Sequence, residues 1–385
     1  MVTEEQVRQA LRSVLDPEIG KPIEDIGMLN RIEVNGGTVR VHVLITIEGC
    51  PLKERIDADV RGALHSLEGV EDIDVLLSPM SPEQRAALVA QLRGGQAAAP
   101  AQQRTFFAGT PTTVIAVASG KGGVGKSSVT VNLACAMAAD GRRVGILDAD
   151  VWGFSVPRMM GVFGKPVGVN DMIMPLESHG VKVISMGFFV PEETPVIWRG
   201  PMLHKAIEQF LGDVYWGDLD ILLCDLPPGT GDVSISLASF LPGAQMLVVT
   251  TPQEAARKVA ERAGKMVERT NMRPIGVIEN MSWFVCPHCG ERTAIFGEGG
   301  GQEAAQTLGV PLLGQTPLVP DLREGGDQGV PIVIRDPDSP AGTALIEASR
   351  AILRQSTSKV GKPLSLIAQP GAAVAANILS SGDQS

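Results

Sequence analysis

The sequence lacks an excess of basic residues. Of its 385 residues, 33 are Lys or Arg and 43 are Asp or Glu, so the formal net charge at pH 7 is −10. Nucleic-acid-binding domains ordinarily carry a clustered basic face that neutralises phosphates. We therefore expect no nucleic-acid partner, and we assign most of the acidic residues to a solvated surface.

Long apolar runs are also missing, and we expect no export signal. A membrane-spanning helix needs about 18 or more consecutive apolar residues, and no uninterrupted run in this sequence reaches that length. Residues 1–5 are polar and acidic, unlike the basic start of a secretory signal. Cysteine is scarce, and its odd count of five favours reduced thiols in a chain without an export signal. The sequence predicts no membrane partner and a cytoplasmic location.

Composition and apolar spacing divide the chain into four regions. Residues 1–93 combine helical spacing with a β-hairpin and a further strand, which predicts a small α/β domain. Residues 94–111, rich in Ala, Gln and Gly, predict a flexible linker. From 112 to 355 strands alternate with helices, as is typical of an α/β fold with a doubly wound, mostly parallel sheet. Residues 356–385, rich in Ser, Gly, Ala and Pro, predict a loosely ordered tail.

The predicted elements follow from the same spacing. In the first region the predicted helices are 3–15 and 52–67 with a third that begins at Ser81, and the predicted strands are 32–34, 39–45 and 70–77. In the larger region the predicted strands are 113–118, 143–148, 181–187, 220–225, 245–250 and 274–279.

A glycine-rich segment follows the first strand of the larger region and satisfies the phosphate-binding pattern G-x-x-x-x-G-K-[ST]. Its glycines allow a turn that aims backbone N–H groups at phosphate oxygens, and the next helix presents its N-terminus to the anion. Lys126 is expected to reach the phosphates and the Ser127 hydroxyl to ligate Mg²⁺. A glycine-rich turn that binds nothing is the alternative, which the strand–loop–helix order disfavours. The predicted nucleotide-binding residues here are Gly120, Lys121, Gly122, Gly123, Val124, Gly125, Lys126, Ser127 and Ser128.

A second motif ends an apolar strand with an acidic residue. The run Ile221-Leu222-Leu223-Cys224-Asp225 has the Walker B arrangement, in which Asp225 holds the Mg²⁺ shell directly or through water. The Pro-Pro-Gly turn after it is expected to place the Gly229 N–H on the γ-phosphate. An aspartate at a strand end is otherwise a common loop residue or helix cap, and Asp148 taken alone merits that interpretation.

The phosphate loop carries an additional lysine, Lys121, directly after its first glycine. In this respect it resembles the deviant Walker A motif of the ATPases that include MinD, ParA and the nitrogenase iron protein. The resemblance implies that Lys121 reaches the partner subunit's phosphates in a face-to-face homodimer, that Asp150 orients the hydrolytic water and that Asn280 contacts the adenine edge. No Asn-Lys-x-Asp guanine signature is present, which favours ATP over GTP. The predicted catalytic residues are Lys121, Lys126, Asp150 and Asp225.

A C-x-x-C pair, Cys286 and Cys289, places two thiolates within reach of one metal centre. Tetrahedral zinc and a cubane iron–sulfur cluster both need four such ligands, and the sequence has no second C-x-x-C. Cys135 and Cys224 lie in a predicted helix and strand and are expected in the core. A two-fold symmetric dimer with two thiolates from each chain is the economical solution. The ligands alone leave iron–sulfur and zinc open, since both accept four thiolates. A redox-active thiol pair is disfavoured, because no helix signal follows Cys289 to lower a thiol pKa.

Residues 112–355 as a whole resemble the Mrp-type iron–sulfur cluster carrier ATPases. The resemblance implies a homodimer that bridges a [4Fe–4S] cluster with Cys286 and Cys289 of both subunits and transfers it, with ATP hydrolysis, to apo-proteins. One departure is Phe154, where the family usually has proline. The matching motifs are the phosphate loop, Leu147-Asp148-Ala149-Asp150, Trp198-Arg199-Gly200-Pro201-Met202, the segment from Asp225 to Asp232 and the C-x-x-C pair.

Residues 1–93 resemble the small domain that precedes this ATPase in many bacterial members and also occurs alone in iron–sulfur assembly. The segment from Thr46 to Leu52 matches its Thr-x-x-x-Cys-Pro signature, which makes Cys50 a candidate transient ligand, with a buried structural thiol as the alternative. A cluster donor, a client or the ATPase domain is its expected partner. Two other functions compete: a zinc-bridged ATPase scaffold, and a positioning or partition ATPase like MinD or ParA. The latter needs a membrane-binding tail or a basic surface, for which Lys359 and Lys362 are little support.

Overall fold

The structure is a computed structural model. It describes residues 2–17, 19–46, 52–92, 106–107, 109–150, 153–169, 172–189, 200–229, 232–253, 264, 267–270, 272–286 and 288–356. Cys50, the motif residues Trp198 and Arg199, and the predicted tail after Ser356 lie outside the described residues.

The N-terminal unit is a three-stranded sheet with helices packed on it. Its described elements are α1 (Glu4–Leu11), β1 (Leu29–Asn35), β2 (Thr38–Ile45), α2 (Lys53–His65), β3 (Asp72–Pro79) and α3 (Pro82–Leu92). Strands β1 and β2 form the predicted antiparallel hairpin, and β3 pairs in parallel with β2. A capping box formed by Thr3 and Gln6 starts α1, which ends at Leu11, earlier than predicted. The chain turns there, and Leu15 pairs with Pro22.

The larger unit is built on a sheet with eight strands in the described part of the chain. The strands are β4 (Thr113–Ala118), β5 (Val144–Asp148), β8 (Leu176–Ser178), β9 (Val181–Ser185), β10 (Ile221–Asp225), β11 (Gln245–Thr250), β12 (Arg273–Glu279) and β15 (Leu312–Gln315). Their order in the sheet is β15-β12-β11-β4-β10-β5-β9-β8. Strand β8 is antiparallel to β9, and the other neighbours pair in parallel. The predicted doubly wound, mostly parallel sheet is confirmed, whereas the sequence does not predict the two edge strands, β8 and β15.

Helices and two small hairpins complete the described part of this unit. Every residue of β5 and β10 is buried, as expected for parallel strands with helices on both faces. The helices are α4 (Lys126–Ala139), α5 (Val156–Met159), α6 (Gly200–Gly212), α7 (Asp232–Phe240), α8 (Gly300–Leu308), α9 (Pro320–Gln328), α10 (Ile332–Arg335) and α11 (Pro340–Gln355). The hairpins pair β6 (Val167–Val169) with β7 (Met172–Met174), and β13 (Phe284–Val285) with β14 (Arg292–Thr293).

The register of the sheet gathers acidic strand ends at one edge. Asp225 of β10 lies opposite Asp148 of β5 and Val117 of β4. Asp148 in turn lies opposite Ser185 of β9. In open α/β sheets ligands bind beyond the carboxyl ends of the strands, so the fold places these side chains where the nucleotide site is expected.

The end of the predicted linker is anchored to the larger unit. The Phe106 N–H donates to the Phe240 carbonyl at 2.9 Å, and the two rings meet edge to face with centroids 5.8 Å apart. The N-terminal core continues into Met172, Met174 and Tyr215 of the larger unit. The domain boundaries at 93 and 111 stay a prediction. Among the described helices, none is long and apolar enough to cross a bilayer.

Candidate nucleotide and cluster sites

The phosphate loop joins the end of β4 to the start of α4. Gly123 and Gly125 have φ angles of 76° and 78°, in the left-handed region that favours glycine. A Cβ atom on Gly125 would lie 2.2 Å from the Asn280 Nδ2 atom, so packing excludes a side chain there as well. Helix α4 begins at Lys126, and the first N–H groups of a helix have no acceptor within it. The predicted strand–loop–helix order is confirmed.

A buried ion pair lies at the head of α4. The Lys126 Nζ is 2.6 Å from the Asp225 Oδ2, and the two side chains are 6% and 0% exposed. The Ser127 hydroxyl donates to the same carboxylate oxygen at 2.5 Å, and the Thr130 hydroxyl donates to the other at 2.8 Å. The structure thus brings together three predicted residues, Lys126, Ser127 and Asp225. Thr130 is an addition that the motif did not indicate.

Asp148 is a second buried carboxyl beside Asp225. Burial, together with the negative charge of Asp225, raises the pKa of Asp148 to about 8. Its oxygens accept hydrogen bonds from the Ser185 hydroxyl at 2.8 Å and from the Asp150 N–H at 3.2 Å. The sequence alone does not assign Asp148 to the site. Its place at the end of a parallel strand, two residues before Asp150, is the signal that identifies it.

Asp150 is held just beyond β5 and is 8% exposed. Its backbone N–H is tied to Asp148, and a Cβ atom on Gly153 would lie 3.7 Å from its Oδ2. The chain therefore passes close over the Asp150 carboxylate. Phe154, the departure from the family pattern, packs on Gly187, where a Cβ atom would lie 2.5 Å from its ring.

Two predicted phosphate-binding groups are engaged within the subunit. The Lys121 Nζ donates to the Gln253 Oε1. The Gly229 N–H donates to the Ser119 carbonyl at 3.0 Å. The Gly229 N–H must give up this bond before it can contact a phosphate, whereas the Lys121 ammonium has two further N–H groups. Both roles stay predictions.

Asn280 lies under the loop. Its Nδ2 donates to the Val124 carbonyl at 2.9 Å, and its Oδ1 accepts from the Thr316 hydroxyl at 2.5 Å. The side chain is 1% exposed. An amide nitrogen has two N–H groups, so one remains for the adenine contact, which stays a prediction.

The C-x-x-C pair lies on the turn between β13 and β14. This ribbon is called the cysteine hairpin here: β13, β14 and the turn residues Cys286 and 288–291. Cys286 is half-buried and Cys289 exposed. Hydrogen bonds from the Cys289 and His288 backbone N–H groups and from the Cys289 thiol lower the pKa of Cys286. The turn therefore favours the thiolate, the form that binds metals.

The remaining described cysteines lie in the core, as predicted. Burial raises the pKa of Cys135 to about 12 and also raises that of Cys224. Neither is a candidate ligand. Within the described residues no group of three or more His, Cys, Asp or Glu is arranged to hold a metal ion.

Two family models match the chain in the same order as its two units. A model described as an iron-sulfur cluster assembly protein matches residues 4–76. A model described as the NUBPL iron-transfer P-loop NTPase matches residues 110–353, which is more than half of the chain. The chain belongs to this iron-transfer P-loop NTPase family. Membership confirms the predicted resemblance and the predicted class of enzyme, an ATPase.

Similar proteins extend over nearly the whole chain. An iron-sulfur cluster carrier protein of Mycobacterium leprae (strain TN) is 49% identical over 369 residues, which cover 94% of this chain and 95% of that protein. A protein of the same name from Synechocystis is 42% identical over 358 residues, 91% of this chain and 97% of its own length. The structure of a nucleotide-binding protein in complex with ADP from Archaeoglobus fulgidus is 38% identical, with a TM-score of 0.52, and covers 60% of this chain and 90% of that one.

Proposed function

We propose that this ATPase acts in the cytoplasm as a homodimer that holds a [4Fe–4S] cluster between its subunits and delivers it to apo-proteins. The observation that carries the proposal is the turn at Cys286 and Cys289, which offers two accessible sulfurs, one of them favoured as the thiolate. The cluster is the cargo, and four thiolates hold it. Two protomers related by a two-fold axis supply that number. The names of the relatives support the same cargo.

The nucleotide site fits ATP with Mg²⁺. Mg²⁺ prefers oxygen ligands, and the Ser127 hydroxyl and Asp225 carboxylate lie 2.5 Å apart at the head of the loop. Lys126 would exchange Asp225 for phosphate oxygens. Bound Mg²⁺ would neutralise phosphate charge. The chain itself binds the phosphates through its loop N–H groups and positions Asp150, which we assign to orienting the water.

Lys121 is assigned to the partner's phosphates. Among the described residues, its long side chain is hydrogen-bonded to Gln253 at the surface. Such a bond is weak because water competes for both groups. Dimer formation would replace Gln253 with the partner's nucleotide. A positive charge that arrives only in the dimer links turnover to assembly, which is the logic of an arginine finger.

The partners that this function requires are client apo-proteins and a cluster donor. The N-terminal unit, which matches an iron-sulfur cluster assembly protein over residues 4–76, is the candidate docking domain, with Cys50 as a transient ligand. The match to the iron-transfer family over residues 110–353 favours carriage over a positioning function.

Reconstitution with iron and sulfide without oxygen tests this proposal. We expect a brown protein with about four irons per dimer. The Cys286→Ala variant should stay colourless and still bind ATP, whereas Cys135→Ala, which alters a buried thiol outside the site, should take up iron. Colourless wild-type protein that binds zinc but takes up no iron would contradict the proposal and favour the zinc-bridged scaffold.

A further inference from the structure

The phosphate loop and the cysteine hairpin are connected through one buried threonine, Thr316. It follows β15 directly and is 0% exposed. We propose that Thr316 is a positioning residue that couples the state of the phosphate loop to the geometry of the Cys286 turn. This inference rests on the proposed function, because it concerns how ATP controls the cargo site.

On the nucleotide side the connection runs through Asn280. The Val124 carbonyl can only accept a hydrogen bond, so the Asn280 Nδ2 must face it, at 2.9 Å. The other end of the amide, Oδ1, then accepts from the Thr316 hydroxyl at 2.5 Å. Both side chains are almost fully buried. Loss of the hydroxyl would leave a buried carbonyl oxygen without this donor, which is costly.

On the cargo side the connection runs through the backbone. The Ser282 N–H donates to the Thr316 carbonyl at 2.9 Å. Two residues further, the Leu318 N–H donates to the Trp283 carbonyl at 2.7 Å, and Leu318 forms a parallel bridge with Phe284. The segment that begins at Thr316 therefore holds the chain that leads into β13.

Hydrogen bonds within the cysteine hairpin connect β13 to Cys286. Strand β13 ends next to Cys286, whose N–H donates to the Glu291 carbonyl at 3.0 Å. The Gly290 N–H donates back to the Cys286 carbonyl at 2.8 Å. Because both strands of this ribbon are only two residues long, Cys286 lies close to its base, and a displacement there reaches the turn over a short path.

Met281 lies between the two ends of the connection. Its φ angle is 59°, in a region that bulky residues rarely occupy. Such a conformation persists where the surrounding contacts hold it, and here both flanking residues, Asn280 and Ser282, are hydrogen-bonded to Thr316. When phosphates bind the loop N–H groups, any shift of the Val124 carbonyl reaches both ends of this strained link.

The test is the rate at which iodoacetamide alkylates Cys286 and Cys289 in metal-free, reduced protein, with and without a non-hydrolysable ATP analogue and Mg²⁺. Mass spectrometry of the peptide separates these thiols from the other cysteines. The quantity compared is the ratio of the alkylation rates with and without the analogue. In wild type we expect the two rates to differ by about fivefold or more, the lower end of typical coupling between sites. Thr316→Val should bring the ratio to near one, while Thr316→Ser, which keeps the hydroxyl, should preserve the wild-type ratio.

Ser349→Ala serves as the matched control, because it removes another fully buried hydroxyl, on α11, that bonds only locally to the Ile346 carbonyl. It should leave the ratio at the wild-type value. A Thr316→Val protein that keeps the wild-type ratio, or a wild-type ratio of one, would overturn the proposal. If the valine variant does not fold, hydrogen exchange of wild type decides: nucleotide should alter protection at 282–286 and 316–318, and unchanged protection there would overturn it.

This assay uses no iron. A protein that fails to assemble a cluster but shows the Thr316-dependent ratio would contradict the proposed cargo and retain the coupling. A protein that takes up four irons per dimer but whose alkylation rate does not change with nucleotide would support the proposed cargo and contradict the coupling through Thr316.

Discussion

The nucleotide site and the cysteine hairpin are held in opposite ways. Lys126 and Asp225 are 6% and 0% exposed and lie among hydroxyl donors at the end of fully buried strands. Cys289 is exposed, Cys286 is half-buried, and both depend on a ribbon with two-residue strands. A buried charge network tolerates little change, whereas an exposed turn can meet a partner subunit and a client. Under the proposed function, the difference suits a nucleotide site that keeps its geometry and a cluster that must be released.

The largest effect is expected from a substitution in the buried nucleotide site. Lys126→Ala removes the cation beside two buried carboxyls, Asp148 and Asp225. We expect nucleotide binding to be lost and the free energy of unfolding to fall by about 3–5 kcal/mol, measured by nucleotide titration and urea denaturation. Lys205→Ala, on an exposed position of α6, is the control and should change neither. Retained nucleotide affinity in the Lys126 variant would show that the loop lysine is not a ligand.

A second change separates binding from turnover. Lys121 contacts Gln253 in its own subunit, so its proposed work begins only in the dimer. Lys121→Ala should lower kcat on the order of 10³-fold, the lower end for a charge supplied in trans, with ATP affinity within about threefold of wild type. Steady-state ATPase assays and equilibrium nucleotide binding measure the two. Parallel loss of both quantities would assign the lysine to its own subunit's nucleotide.

The third prediction concerns pH in protein free of nucleotide and metal. The pKa of Asp148 is raised from 3.8 to about 8, so the folded state holds its proton more tightly than the unfolded chain. Its stabilising contribution is therefore present at low pH and is lost as pH rises between these values, with a slope of at most about 1.4 kcal/mol per pH unit.

Asp148→Asn should flatten this part of the stability profile, because the amide stays neutral. Urea denaturation at several pH values between 4 and 8 measures it, with Asp218→Asn at an exposed position as the control. A variant with the wild-type slope would place the titrating group elsewhere.

The smallest effect on folding is expected at the cysteine hairpin. Cys289→Ala changes an exposed side chain, so the free energy of unfolding of the metal-free protein should change by less than about 0.5 kcal/mol. The same substitution removes the Cys289 thiol that donates to Cys286, one of the bonds that lower its pKa. The alkylation midpoint of Cys286 should therefore move to higher pH. Destabilisation as large as that of Lys126→Ala would end the contrast between the two sites.

The parts of the fold that sequence could predict are those with strong local signals. The apolar runs that became β4 and β10 are continuous, β-branched or leucine-rich, and end in a glycine loop or an aspartate. The sequence does not predict strand β15, because this strand is four residues long, contains Gly314 and is only half-buried. Its pairing with β12 is nevertheless what brings Thr316 to Asn280.

The same division applies to the sites. The phosphate loop, Asp225 and the C-x-x-C pair are local patterns whose chemistry requires those residue types. The bonds from Lys121 to Gln253 and from Asn280 to Thr316 join residues far apart in the chain, and no spacing rule predicts them. The raised pKa of Asp148 likewise arises from strand register, which sets it opposite Asp225.

Native mass spectrometry of the protein reconstituted without oxygen tests the central claim most directly, since it reports subunit number and metal content in one species. We expect a wild-type dimer that carries one [4Fe–4S] cluster, and Cys286→Ala and Cys289→Ala variants that carry none. A monomer with a complete cluster, or a dimer whose iron persists in both variants, would contradict it.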